Sequence, residues 1–203
     1  MILIGLCRSI WETGIWPSGW KKPIYIPIPK KGDASVCENN RTIALISHTS
    51  KVMLKIIQGR LESLLDREMP DRQAGFRKER GTRDQIANVR WIMERARQFN
   101  ENRYICFIDY SKPFDCVDHP VLWRTLHNMG FPNHLIMLIK SLYDGQVATV
   151  HTEYGETESF HIGKGMMQGC ILSPALFNIY TKGVMRRAAA GEVDDDVNRR
   201  ETS

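Results

Sequence analysis

The sequence predicts an α+β fold, rich in helix and carrying a small antiparallel sheet. Three features predict it. Long windows repeat apolar residues at helical spacing, short β-branched stretches lie between glycines and prolines, and the two kinds of segment are mixed along the chain without regular alternation. At 203 residues the chain is long enough for one sizeable core, or for two tightly packed subdomains. Hydrophobic residues make up 42% and charged residues 25%, an ordinary globular balance that excludes a disordered or fibrous class.

Taken in order, Ile2 to Trp11 carry an apolar stripe suited to a short helix ended by Gly14 and Pro17. Pro23-Ile24-Tyr25-Ile26-Pro27-Ile28-Pro29 reads as extended, and as an edge strand, because proline cannot donate to a ladder. Lys30-Lys31-Gly32-Asp33 follows as a basic turn. Val52, Leu54, Ile56, Ile57, Leu61, Leu64 and Leu65 predict a helix over 50–69, stopped by Pro70. Thr82-Arg83-Asp84-Gln85 has the form of a capping box with Thr82 at the N-cap, opening a helix that ends near Asn100.

Arg103 to Tyr110 is a nearly continuous apolar run, the pattern of a central strand covered on both faces. Helices are predicted over 119–129, with Asp118 as N-cap, and over 132–143, opened by Pro132. Residues 146–152 and 157–163 alternate around Tyr154-Gly155 and read as a hairpin. Ser173-Pro174 caps and opens a last helix to about Ala190. The remaining residues, 191–203, form a charged tail that reads as disordered.

A net charge of +5 favours a polyanionic partner only mildly. The cysteines, Cys7, Cys37, Cys106, Cys116 and Cys170, are never paired as C-x-x-C. They read as reduced thiols rather than a zinc site or disulfide framework, with Cys106 and Cys170 as small buried side chains. No apolar run approaches the roughly 20 residues needed to span a bilayer, and Met1 to Leu6 are too few for a signal segment. The expectation is an intracellular chain, in nucleus or cytoplasm alike, with no membrane partner.

Two segments carry chemistry. Phe107-Ile108-Asp109-Tyr110-Ser111-Lys112-Pro113-Phe114-Asp115 places an acid at the end of an apolar run, where negative charge is costly unless a cation needs it. On its own it is equally an acid that caps a turn. Gly165-Met166-Met167-Gln168-Gly169-Cys170-Ile171-Leu172-Ser173-Pro174 allows close backbone approach at its glycines. On its own it is equally a Gly-rich connection. In this order the two resemble the first two polymerase motifs of LINE-type (non-LTR) reverse transcriptases, whose usual forms are F-x-D-x-x-x-A-F-D-x-V-x-H and G-x-x-Q-G-C-x-L-S-P-x-L-F-N. The second motif continues here as Ala175-Leu176-Phe177-Asn178. Upstream, Ile26 to Asp33, Asn40 to Ser47, and Gln73-Ala74-Gly75-Phe76-Arg77-Lys78 with Gly81-Thr82-Arg83-Asp84 are similar to the family's fingers segments. The resemblance covers about residues 16–185.

That resemblance implies a right-hand polymerase core: a fingers-like region over 1–100 and a partial palm over 101–190. It implies RNA-directed DNA synthesis, with an RNA template, a DNA primer, deoxynucleoside triphosphates and two Mg²⁺ ions. Asp109 would be the catalytic metal ligand, and the Tyr110 carbonyl would add a backbone oxygen. Phe114 matches the sugar-gate position that disfavours a ribose 2′-hydroxyl. Gln168 and Gly169 would contact nucleotide and template, and Arg41, Lys30 and Lys31 would face triphosphate oxygens. Asp115 and Asp118 are read as turn and cap residues rather than ligands.

The chain also departs from the family pattern. Thr42 stands where proline is usual, Pro113 where alanine is, and Met167 where arginine is common. The third motif, F/Y-A-D-D on a tight hairpin, is not found in the 203 residues, and on the family pattern the chain is expected to lack a thumb and the upstream endonuclease that members often carry. Asp194-Asp195-Asp196 has no apolar strand before it and reads as a solvated acidic run. A single carboxylate cannot hold two dications about 4 Å apart against their repulsion, so the chain is expected to be inactive alone. The alternative expectation is a retroelement-derived module that binds nucleic acid without catalysis.

Overall fold

The structure, a computed structural model, describes residues 2–33, 35–71 and 73–190. The α+β class holds. In chain order the elements are α1 (Ile2–Thr13), β1 (Ile24–Pro29), β2 (Asn40–Leu45), α2 (His48–Glu68), α3 (Thr82–Gln98), α4 (His119–Asn128), α5 (Asn133–Tyr143), β3 (Val147–Thr152), β4 (Gly155–Glu156), β5 (Phe160–His161) and α6 (Ser173–Ala190). Single 3₁₀ turns occupy Ser18–Trp20 and Cys37–Asn39.

The sheet is mixed rather than antiparallel, which corrects the sequence expectation. Its order is β2-β1-β3-β4, with β5 also on β3. β1 pairs antiparallel with β2, Ile24 opposite Leu45 through Pro29 opposite Asn40, and parallel with β3 through Ile24 and Tyr25. β1 is therefore internal and not an edge. The prolines are compatible with this because pairing with β3 stops at Tyr25, before Pro27 and Pro29 would have to donate. The hairpin at 147–161 forms with a shift. His151 faces Glu156, whereas Ala148 faces Phe160, so one extra residue is accommodated between the two paired stretches.

The largest correction concerns Arg103 to Tyr110. No described residue pairs with this run, and it is exposed throughout, Tyr104 at 94% and Phe107 at 84%. A strand exists only where a neighbour takes its N–H and C=O groups, and here the described chain supplies none. Cys106 is accordingly exposed, against expectation, whereas Cys170 is buried. The helix α3 forms as predicted but buries no residue, leaving Ile86, Trp91 and Ile92, and Phe99 at its C-cap, in solvent.

The core lies between α2, α4, α5 and α6. Met53, Leu54, Ile57 and Leu61 of α2 meet Leu122 and Leu126 of α4, Leu138, Ile139 and Leu142 of α5, and Leu172, Leu176 and Ile179 around α6. Trp16 closes one side, its indole N–H donating to the Leu138 carbonyl at 3.0 Å. Helix starts follow local chemistry with one-residue shifts at α3, α5 and α6, where Ser173 is already the first helical residue rather than the cap. Asp118 caps α4 by accepting from Val121 N–H at 2.9 Å, as expected. At α3 the cap is Gly81, not Thr82, and the Asp84 carboxylate accepts from Gly81 N–H at 3.0 Å. Pro132 sits at the N-cap of α5 rather than inside it. The charged tail 191–203, with Asp194-Asp195-Asp196, lies outside the described residues.

Burial beneath the sheet has a consequence at high pH. It pushes the Tyr25 phenol up to about 12, with Asp115 and Cys170 adding to the effect, and it raises Tyr143 as well. In the unfolded chain a phenol ionises near about 10. Tyr25 therefore contributes stability that is whole below about pH 10 and is lost as pH rises towards about 12. The melting temperature should fall steeply across that window, and Tyr25→Phe should flatten the fall. A Tyr25→Phe profile as steep as the wild type's would show that this phenol is not the group responsible.

Candidate nucleotide-binding cleft

Backbone bonds stitch three distant segments into one site. Gly165 N–H donates to the Val117 carbonyl at 2.8 Å, and Met166 N–H donates to the Phe114 carbonyl at 2.8 Å. These bonds tie the Gly-rich loop to the turn that carries Phe114. Ala44 N–H then donates to the Gln168 carbonyl at 2.7 Å, tying the same loop to β2. From below, the buried Ser173 hydroxyl donates to the Met167 carbonyl at 2.7 Å. His119, the first residue of α4, bonds the Gly165 carbonyl at 2.7 Å through Nε2.

Two glycines make these approaches possible. Gly165 has φ +87°, and a Cβ there would lie 3.1 Å from Asp115 Cα. Gly169 has φ +103°, and a Cβ there would lie 3.2 Å from the Ala44 carbonyl oxygen. Both φ values belong to the left-handed region that glycine enters without penalty.

The result is an open cleft of about 790 Å³ whose walls include Lys30, Asn39, Arg41, Lys112, Phe114 and Gln168. Of the residues singled out in the sequence, Lys30, Arg41, Tyr110, Phe114 and Gln168 line it together. Gly169 sits beside it, against β2. Lys31 and Asp109 are exposed and are not among its lining residues. Arg41 lies on β2 opposite Ile28, with its side chain in solvent. Lys30 Nζ reaches the Glu38 carbonyl at 3.5 Å.

The Phe114 ring is half-buried between two other rings, Phe76 at 6.1 Å and Phe177 at 5.4 Å between centroids. Tyr110 meets Phe177 edge-on at 5.9 Å. Such tilted pairs are favourable arrangements that hold ring planes in place. The sequence reading gave no role to Phe76 or Phe177, although both stand in its quoted motifs. Lys112 was missed as well. It lies in the cleft with φ +118°, and its carbonyl accepts from Asp115 and Cys116 N–H. A lysine held at such an angle before proline is strained backbone of the kind found at binding sites.

The donor set does not make a two-ion clamp. Among the described residues no three of His, Cys, Asp and Glu come close enough to share a metal ion. Asp109 would need carboxylate partners, and the described residues gather no group of three such donors around it.

Among the described residues no helix is long and apolar enough to cross a membrane. Comparison with known proteins gives a consistent picture. The family described as "Reverse transcriptase (RNA-dependent DNA polymerase)" matches residues 28–194. The RNA-directed DNA polymerase from mobile element jockey of Drosophila melanogaster is 27% identical over 192 residues, covering 93% of this chain and 21% of the relative. The transposon TX1 149 kDa protein of Xenopus laevis is 28% identical, covering 83% of this chain and 13% of the relative. The Pol polyprotein from the type-2 retrotransposable element R2DM of Drosophila melanogaster is 28% identical over 91% of this chain and 17% of its own length. The chain thus spans about a fifth or less of these relatives.

Proposed function

Because the chain belongs to the reverse transcriptase (RNA-dependent DNA polymerase) family, we propose that it carries the incoming-nucleotide side of a template-directed DNA polymerase. In this reading residues 1–100 are fingers and 101–190 a partial palm of a right-hand core. The observation that carries it is the meeting of Lys30, Arg41, Tyr110, Phe114 and Gln168 on one cleft, from three separate parts of the chain.

Each group has a task suited to its chemistry. Arg41 presents a planar fork that matches triphosphate oxygens in pairs, and Lys30 and Lys112 add point charges. Phe114, held by Phe76 and Phe177, closes the space a ribose 2′-hydroxyl would need, so deoxynucleotides are the favoured class. Gln168 is fixed through its own backbone and offers an amide to the nucleotide or the templating RNA base. Asp109 and the Tyr110 carbonyl are this chain's contribution towards Mg²⁺, and by themselves they are not a site. The 203-residue chain is therefore proposed to bind nucleotide, RNA template and DNA primer without joining them.

The test is primer extension by this chain on an RNA template with Mg²⁺ and all four deoxynucleoside triphosphates, beside hybrid binding at rising salt. No extension is expected, together with binding that weakens steeply with salt as phosphate contacts are lost. Template-directed product would overturn the inactivity. Absence of hybrid binding at micromolar protein would overturn the nucleic-acid reading, including its non-catalytic form.

A further inference from the structure

A second charged groove, of about 450 Å³, lies between α4 and α6 and shares no lining residue with the cleft. Its cations are Arg124 from α4 and Lys182, Arg186 and Arg187 from α6, and no described carboxylate lines it. The helices meet at Gly183, where even a methyl group would collide with Thr125. The Thr125 hydroxyl is itself fixed on the Val121 carbonyl at 2.8 Å. The floor is thus rigid, and the cations stand on two packed ridges, Lys182 and Arg186 one turn apart. Lys182 is held in place by Glu68, through an ion pair at 3.7 Å and a bond to its carbonyl. Arg124 and Arg186 are exposed, and no described acid pairs with either.

Basic residues near a helix C-terminus are ordinary, because they complement its dipole. That accounts for Arg187 in the last turn of α6, but not for Arg124, which lies in the middle of α4 and faces the same space. Like charges gathered across a groove repel unless an anion sits between them.

We propose that this groove binds the phosphodiester backbone of a nucleic acid strand, as a second contact outside the nucleotide cleft. The proposal rests on the nucleic-acid reading of the chain. Phosphate suits the guanidiniums, which can engage two of its oxygens, and Asn128 and Thr125 add polar edges. An acidic peptide fits less well, because neither apolar side chain of the groove stands free as an anchor site of the kind such partners use: Met129 is buried and Val121 half-buried. The position fits a strand leaving the cleft. Lys182 to Arg187 stand 9–14 residues along α6 from Ser173, about 14–21 Å at the rise of an α-helix.

The experiment uses the full chain and fluorescein-labelled single-stranded RNA, titrated over a range of salt. The variants are R124E/R186E for the groove and K30E/R41E for the cleft, with R124K/R186K as a charge-keeping control and circular dichroism to confirm folding. R124E/R186E should bind about tenfold or more weakly at low salt, with its salt slope shallower by about 1.4, two phosphates at ~0.7 each. R124K/R186K should stay within about threefold of wild type, since charge supplies most of the affinity. An unchanged affinity and slope in R124E/R186E, with K30E/R41E weakened, would overturn the groove and leave the cleft reading standing. The reverse pattern would support the groove and overturn the cleft's share in RNA binding. Tight, Arg124- and Arg186-dependent binding of a Glu-Val-Asp-Asp-Asp peptide, with RNA indifferent to both arginines, would make the groove a peptide site and overturn the proposal.

Discussion

Gly165→Ala should destabilise the protein by about 2–4 kcal/mol, one of the largest effects available to a single methyl group here. Two costs combine. The residue sits at φ +87°, where an L side chain costs roughly 1–2 kcal/mol. The new Cβ would also meet Asp115 Cα and carbonyl oxygen at 3.1 Å and the Phe114 carbonyl oxygen at 3.2 Å. All three are backbone atoms that cannot swing aside. Relief requires opening the Gly165–Val117 and Met166–Phe114 hydrogen bonds, which hold the turn with Phe114 beside the loop with Gln168. Stability and nucleotide binding should therefore fall together, with the melting temperature down by about 6–12 °C for a chain of this size. Gly163→Ala is the matched control, since a Cβ there meets nothing within 4 Å. A thermal scan in which the two variants melt alike would disprove this account of the stitching.

The same contrast separates what was legible in the chain from what was not. Asp118 as the cap of α4 could be read directly, because a cap is decided within three residues and the carboxylate finds Val121 N–H wherever the helix goes. The apolar spacing of α2 was equally local, and its Met53, Leu54, Ile57 and Leu61 are all buried. At α3 the periodicity correctly predicted a helix but not burial, since spacing defines a face and not what covers it. Arg103 to Tyr110 failed as a strand for a related reason. β-branched and aromatic residues make a run fit for a sheet, but a strand also needs a neighbour's N–H and C=O groups, and no described segment offers them. The parallel pairing of Tyr25 with Val150 joins residues far apart in sequence, which no short window could reveal.

In the candidate site, residue types were readable and company was not. Arg41, Phe114 and Gln168 stood out through their motifs, and they do share a cleft. Phe76 and Phe177 stood in motifs too, but their use as walls for Phe114 depends on ring positions at 5.4 and 6.1 Å that exist only after folding. Asp109 is the opposite case. Its motif is plain, yet its chemistry depends on a cluster of carboxylates, and the described residues assemble no group of three metal-ligating side chains.

Arg41→Ala should weaken deoxynucleoside triphosphate binding by about 10- to 100-fold while leaving the melting temperature within about 1 °C. The side chain is exposed at the cleft wall, so its removal costs the fold little. Towards a triphosphate it would form charge-assisted bonds, each worth about 1.5–3 kcal/mol, and every 1.4 kcal/mol is about tenfold in affinity. Lys30→Ala should cost less, because the ammonium is a single point charge that already leans on the Glu38 carbonyl, with the Glu38 carboxylate on the same cleft. The ranking Arg41 above Lys30 can be measured by calorimetry with deoxynucleotide, with and without Mg²⁺. It should shrink as salt is raised, since both cations face water and are screened over about 10 Å at 0.1 M. Equal losses at the two positions, or a melting temperature that falls with Arg41, would mean the guanidinium supports the sheet rather than the nucleotide.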